Sequence, residues 1–170
     1  MAASRRRFPQ VKKIGTPEAM RDHLAEEGID LPIDTVVKPA PNGPLAAPMR
    51  IGPHLEAANR FAILPMEGWD GTTDGLPTPD LERRWLRFGA SGAGLLWGEA
   101  TAVVPEGRAN PNQLIVNEQT IEQLGDLRAR TVAARAGDLD GRLIVGMQLT
   151  HSGRWSRPLG EPLPRIAYRQ

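Results

Sequence analysis

Three short runs of apolar, strand-forming residues recur along the chain, each followed by a long polar stretch. FAILP occupies residues 61–65, GLLWGEATAV residues 94–103 and LIVGMQL residues 143–149. Consecutive apolar positions suit strands buried on both faces. Two segments of helical period lie between them. The first opens at Thr78, with Pro79 at the first helical position and Asp80 near the positive end of the helix dipole. It runs through LERRWLRF and stops before the glycines of GASGAG. The second is NEQTIEQLGDLRARTVAARA, with Asn117 as its expected cap and Ile121, Leu124 and Leu127 on neighbouring turns. A loop holding Gly137 and Gly141 leads into the third run. The order strand–loop–helix occurs twice before the third strand, which predicts βαβ units and a parallel α/β sheet. Connections after strands are long and those after helices are short. Active sites of (β/α)8 barrels are built on such loops, and doubly wound sheets share the rule, so the asymmetry alone leaves both folds open.

Upstream of these units the pattern changes. Residues 4–8, SRRRF, carry the arginines of an export signal. Export needs an apolar segment directly behind them, and the continuation PQVKKIGTPEAMRDHL is polar and basic. The start, with Arg5, Arg6, Arg7, Lys12 and Lys13, therefore reads as a basic segment without order. A short helix follows, with Thr16 as N-cap, Pro17 at its first position and Gly28 closing it. Pro32, Pro39, Pro41, Pro44 and Pro48 then mark a linker. Residues 1–43 are accordingly assigned to an extension and residues 44–170 to the compact domain.

Composition narrows the classes. The chain has 170 residues, 40% hydrophobic and 24% charged, with a formal net charge of +1. That balance offers no general attraction to nucleic acid or a membrane surface. No apolar run approaches the roughly 20 residues of a membrane helix. Cysteine is absent, which removes disulfides and thiolate metal sites and fits a cytoplasmic protein.

Candidate chemistry gathers where the three strands end. The first ends in Glu67, the second in Glu99 and Thr101, the third in Gln148 and His151. In a parallel sheet these ends lie side by side. Each residue also has a plain structural reading: Glu67 capping a loop, Glu99 pairing with an arginine, His151 satisfied within its own loop. Glutamine offers one acceptor and two donors but is a poor acid, base or nucleophile, so the site looks built to hold a planar, amide-like edge. Two glutamates could serve as a glycosidase pair, and one histidine with scattered carboxylates as a metal site. Neither has diagnostic spacing. GASGAG lies between a helix and the next strand, the wrong context for a dinucleotide fingerprint.

Taken together, NRFAILPM, DGLPT, GAGLLWGEATAV, PEGRANPNQL and QLTHSGR resemble, in order and spacing, the old yellow enzyme family of NADH:flavin oxidoreductases. The resemblance covers about residues 44–164. It implies a (β/α)8 barrel of the TIM type, of which this chain supplies the first three strands, with FMN across the strand ends and NAD(P)H as hydride donor. It implies a small-molecule acceptor such as an activated alkene, and it is compatible with a homo-oligomer of the full-length protein. It maps the backbone contact to the flavin ring onto Leu64, Pro65, Met66 and Glu67. The small residue that approaches the ring is Ala100, and the partner of the pyrimidine edge is Gln148. Trp69 matches a position that contacts substrate, while His151 and Arg154 match the family's HxGR segment in a supporting role.

One position departs from the family, which commonly has Thr or Cys where Glu67 stands. Ionised, a carboxylate there would disfavour electron addition to the flavin; protonated through burial, it could donate a hydrogen bond. A whole barrel takes about 250 residues. The family's paired His/Asn hydride-site residues, its proton donor and its phosphate loops are therefore expected beyond Gln170. These residues alone are expected to bind FMN poorly and to be inactive, with open sheet edges prone to association. The alternatives are a non-catalytic truncated chain, a half-barrel requiring a second polypeptide, and a complete three-stranded α/β binding module.

Overall fold

The computed structural model describes residues 9–135 and 143–167 and divides the chain into two units, Met1–Pro39 and Ala40–Gln170. In the first unit, helix α1 (Pro17–Glu26) starts where its local signals place it. Thr16 is the N-cap, its hydroxyl accepting from Ala19 N at 3.1 Å, and Pro17 occupies the first turn. Past the C-terminal end, Gly28 takes φ +71, the left-handed conformation that glycine adopts without a Cβ clash. Arg21 donates to the Ile33 carbonyl through Nε and Nη2, folding the next residues back along the helix. Within the stretch expected to lack order, Val11–Lys13 forms one exposed 3-10 turn; Arg5, Arg6 and Arg7 lie outside the described residues.

The second unit opens with an antiparallel hairpin that the apolar pattern did not announce, β1 (Met49–Ile51) and β2 (Leu55–Ala57). The elements that follow alternate as expected: β3 (Ala62–Ile63), α2 (Pro79–Ala90), β4 (Leu95–Ala102), α3 (Ile121–Ala133) and β5 (Ile144–Thr150). The strands form a parallel sheet in the order β3-β4-β5, with Ile63 opposite Leu96 and Leu96 opposite Val145. The fold is thus α/β, with two successive βαβ units. The loop expected to carry Gly137 and Gly141 lies outside the described residues.

Both helices pack on one face of the sheet. On α2 the buried residues are Leu81, Trp85 and Gly89, four apart, and on α3 they are Leu124, Leu127 and Thr131. These stripes meet Leu96 of β4, together with Leu114 and Leu143, in one core. Leu81, Leu96, Leu114 and Leu127 are at most 1% exposed. Each such burial stabilises by roughly 1.5–3 kcal/mol. Gly89 permits the closest approach of the helices, since a Cβ there would stand 2.0 Å from the Thr131 carbonyl oxygen.

Helix starts follow local chemistry with one exception. Thr78 caps α2 as expected, its hydroxyl accepting from Leu81 N at 3.3 Å and donating to Asp70 O at 2.5 Å. Asn117 does not cap α3. Its carboxamide oxygen accepts from Gln119 N and Thr120 N, closing a preceding turn, and the helix starts after Thr120. The buried Thr120 hydroxyl is drawn to Ile115 O at 2.6 Å, which fixes the entry angle.

Candidate functional site

The C-terminal ends of β3, β4 and β5 point the same way because the strands are parallel neighbours. Ala100 and Gln148 are direct partners across β4 and β5. Between Gly98, which partners Met147, and Ala100 the register shifts by one residue, and Glu99 is the residue left over. Such a bulge re-aims a side chain. Here it turns Glu99 into the helical layer, where it is 5% exposed and accepts from Arg84 Nη2 at 2.7 Å and Trp85 Nε1 at 3.1 Å. Arg84 also holds Asp70 through both terminal nitrogens. Burial lowers the Arg84 pKa, but its bonds to Asp70 and Glu99 outweigh this and raise it on balance. Glu99 is therefore the partner of an arginine, the plain reading, and not a free carboxylate at the tip.

Glu67 is different. It follows β3 by four residues, is half-buried, and its Oε1 is sequestered with no hydrogen-bond partner. Desolvation raises its pKa, hydrogen bonding to the Trp69 side chain opposes this, and the charge of Glu99 raises it further. Trp69 itself stands in the left-handed region at φ +50, uncommon for a bulky residue, with its side chain 53% exposed. Leu64 and Met66, on the same segment, are 69% and 70% exposed, while Pro65 is half-buried. Gln148 is exposed, and its carboxamide makes no hydrogen bond among the described residues. An unengaged amide beside the single methyl of Ala100 fits a flat ligand with an amide-like edge.

Two long loops frame these tips and are tied to one another. Gly71 N donates to Asn112 O at 3.0 Å, and Asn112 Nδ2 donates back to Gly71 O at 2.8 Å. Ile115 N donates to Gly75 O at 3.1 Å, and Ile115 also forms a parallel bridge with Ala102. Arg108, 4% exposed, donates to the carbonyls of Thr72, Thr73, Pro111 and Gln113. Burial lowers its pKa, against the pull of Asp74. Gln113 is likewise buried and bonded on every side. Neither residue was singled out from the sequence, although both sit in PEGRANPNQL, a motif quoted for the resemblance. His151 has the satisfied-loop role: its Nδ1 accepts from Gly153 N at 3.0 Å, and its ring packs on Gly107. Arg154 is exposed on the 3-10 turn Gly153–Trp155. Among the described residues, no three metal-ligating side chains come together and no helix is long and apolar enough to cross a membrane.

No family model and no curated protein matches this sequence. Solved structures do. The old yellow enzyme homologue from Zymomonas mobilis superposes with a TM-score of 0.54 at 26% identity, over 65% of this chain and 28% of that one. A morphinone reductase variant in complex with tetrahydroNAD gives 0.56 at 25% identity, over 71% and 30%. Old Yellow Enzyme from Pichia sp. AKU4542 gives 0.58 at 21% identity, over 69% and 29%, a likeness of fold. The resemblance read from the five motifs is thus borne out in three dimensions, and the chain spans between 28% and 30% of the length of these structures.

Proposed function

We propose that residues 44–170 are the first three strands of an FMN-binding (β/α)8 barrel. In this reading the flavin lies across the ends of β3, β4 and β5, and the chain belongs to an oxidoreductase passing hydride from NAD(P)H to a small acceptor such as an activated alkene. The observation that carries it is the pairing of Ala100 with Gln148 on adjacent parallel strands, where the amide is unengaged and its neighbour is a methyl. The likeness to old yellow enzyme structures supports the barrel, and the tetrahydroNAD complex of morphinone reductase supports the nicotinamide donor.

Bound FMN would supply the two-electron chemistry. The chain's own residues bind and orient. Gln148 offers one acceptor and two donors to the pyrimidine edge. Ala100 leaves space for the ring plane, and the backbone of Leu64, Pro65, Met66 and Glu67 lines the other side. Trp69 forms an aromatic wall toward substrate. Burial raises the Glu67 pKa, and in its protonated form this side chain would donate a hydrogen bond without placing negative charge beside a group that must accept electrons.

Turnover is assigned to a complete barrel, because among the described residues β5 pairs with no strand on its far side. FMN titration of the 170-residue chain, followed by flavin fluorescence, tests the reading. The expected result is weak but saturable quenching, reduced about tenfold in Gln148→Leu by loss of hydrogen bonds to the ring edge, with no NAD(P)H consumption. Quenching that ignores Gln148, or a folded chain that takes up no FMN, would overturn it.

A further inference from the structure

Gln113 belongs to neither strand, yet its side chain ties both together. Nε2 donates to Ala100 O on β4 at 3.2 Å and to Thr150 Oγ1 on β5 at 3.2 Å. Oε1 accepts from Ala109 N at 2.7 Å. A carbonyl can only accept and a backbone N–H can only donate, so the amide has one permitted orientation, nitrogen toward the strands and oxygen toward its own loop. The residue is 3% exposed, and the Arg108 guanidinium holds its backbone carbonyl at 2.8 Å. Every hydrogen-bonding group of this side chain that can reach a strand is committed to one.

The place of this tie gives it meaning. The β4–β5 ladder has just been disturbed by the Glu99 bulge, and Ala100 and Gln148 form the first pair beyond it. A strand end past a bulge, close to its last rung, tends to open. One bond at Ala100 and one at Thr150, two residues beyond Gln148, bracket the ligand-facing amide from both strands. The backbone bond from Val103 N to Thr150 O at 3.2 Å closes the same end.

We propose that Gln113 is a positioning residue that clamps the ends of β4 and β5, so that Ala100 and Gln148 present one fixed seat to the flavin. It deepens the flavin reading above and rests on it. The clamp acts through hydrogen bonds and not through bulk, and that separates it from ordinary packing.

The test pairs FMN titration of the 170-residue chain with amide hydrogen exchange. Thr150→Val keeps the shape and removes the hydroxyl; Thr150→Ser keeps the hydroxyl and removes a methyl. The clamp predicts an affinity loss of about threefold for Thr150→Val and near wild-type binding for Thr150→Ser, with faster exchange over residues 144–152 only in the former. Gln113→Met, which removes all three side-chain bonds, should weaken FMN about tenfold and speed the same exchange while α2 and α3 stay protected. If Gln113→Met also loses protection in the helices, the Thr150 pair decides. Weakening by Thr150→Ser but not Thr150→Val would show that bulk matters and would overturn the proposal. So would a Gln113→Met protein with unchanged affinity or unchanged exchange. A Gln148→Leu effect without a Gln113 effect leaves the flavin reading standing and removes the clamp. If the folded wild type takes up no FMN, the flavin reading fails, and the exchange measurements alone judge the clamp.

Discussion

At the scale of single residues, Glu67 makes a prediction that needs no ligand. Its folded pKa lies above the ordinary value near 4.5, chiefly through desolvation, so the folded chain holds this proton to higher pH than the unfolded chain does. Stability from this group is complete below about 4.5 and is lost as pH rises through the raised value. Thermal unfolding followed between pH 4 and pH 8 should show Glu67→Gln losing less stability than wild type over that interval. Parallel pH profiles for the two proteins would contradict the assignment. Its neighbours at the tips were readable to different degrees. Gln148 followed from a run of apolar residues ending in polar ones, a local signal, whereas Ala100 came only with the family resemblance. For Glu99 an arginine partner was among the plain readings. Its identity as Arg84 and the second bond from Trp85 were not legible, because alternation along β4 assumes an unbroken ladder and the bulge adds one residue to it. Gln113 was hidden for another reason. Its strand partners stand 13 and 37 residues away, and no periodicity encodes that distance.

At the scale of elements, the packing of α2 on α3 turns on Gly89. A methyl there would overlap the backbone carbonyl of Thr131, which cannot swing aside as a side chain could. Ala is the better helix former by up to about 1 kcal/mol, so propensity favours Gly89→Ala. Overpacking against backbone costs about 1–3 kcal/mol or more and should win. Chemical denaturation is expected to give a lower midpoint for Gly89→Ala; an equal or higher midpoint would mean that the helices separate freely. By comparison, the Arg130–Glu82 pair joining the same helices at 2.9 Å is open to solvent, which screens it, and it is a minor contributor. Helix starts were legible wherever a cap and a proline stood together, as at Thr16–Pro17 and Thr78–Pro79, whereas α2 runs past its expected stop through Gly89 to Ala90. At Asn117 a capping side chain was present without the helix, since the Thr120 hydroxyl bonded backward to Ile115 O and delayed the start. The β1–β2 hairpin escaped notice because its strands are three residues each and follow a proline-rich stretch.

At the scale of the molecule, the sheet ends at β5, whose outer backbone groups pair with no strand among the described residues. Leu149 on that strand is 62% exposed. A formal net charge of +1 supplies little repulsion between copies. An open apolar edge on a nearly neutral chain favours strand pairing between molecules. Sedimentation at rising concentration should therefore show self-association, reduced by Leu149→Lys, which places charge on the edge. A monomer at all concentrations would show that the edge is already covered.

The two loops over the strand ends share Asn112–Gly71 and Ile115–Gly75 bonds, so neither has a conformation of its own. For anyone transplanting segments between homologues, the smallest exchangeable piece is then the pair. Moving either connection alone would strand donors and acceptors that only its companion supplies.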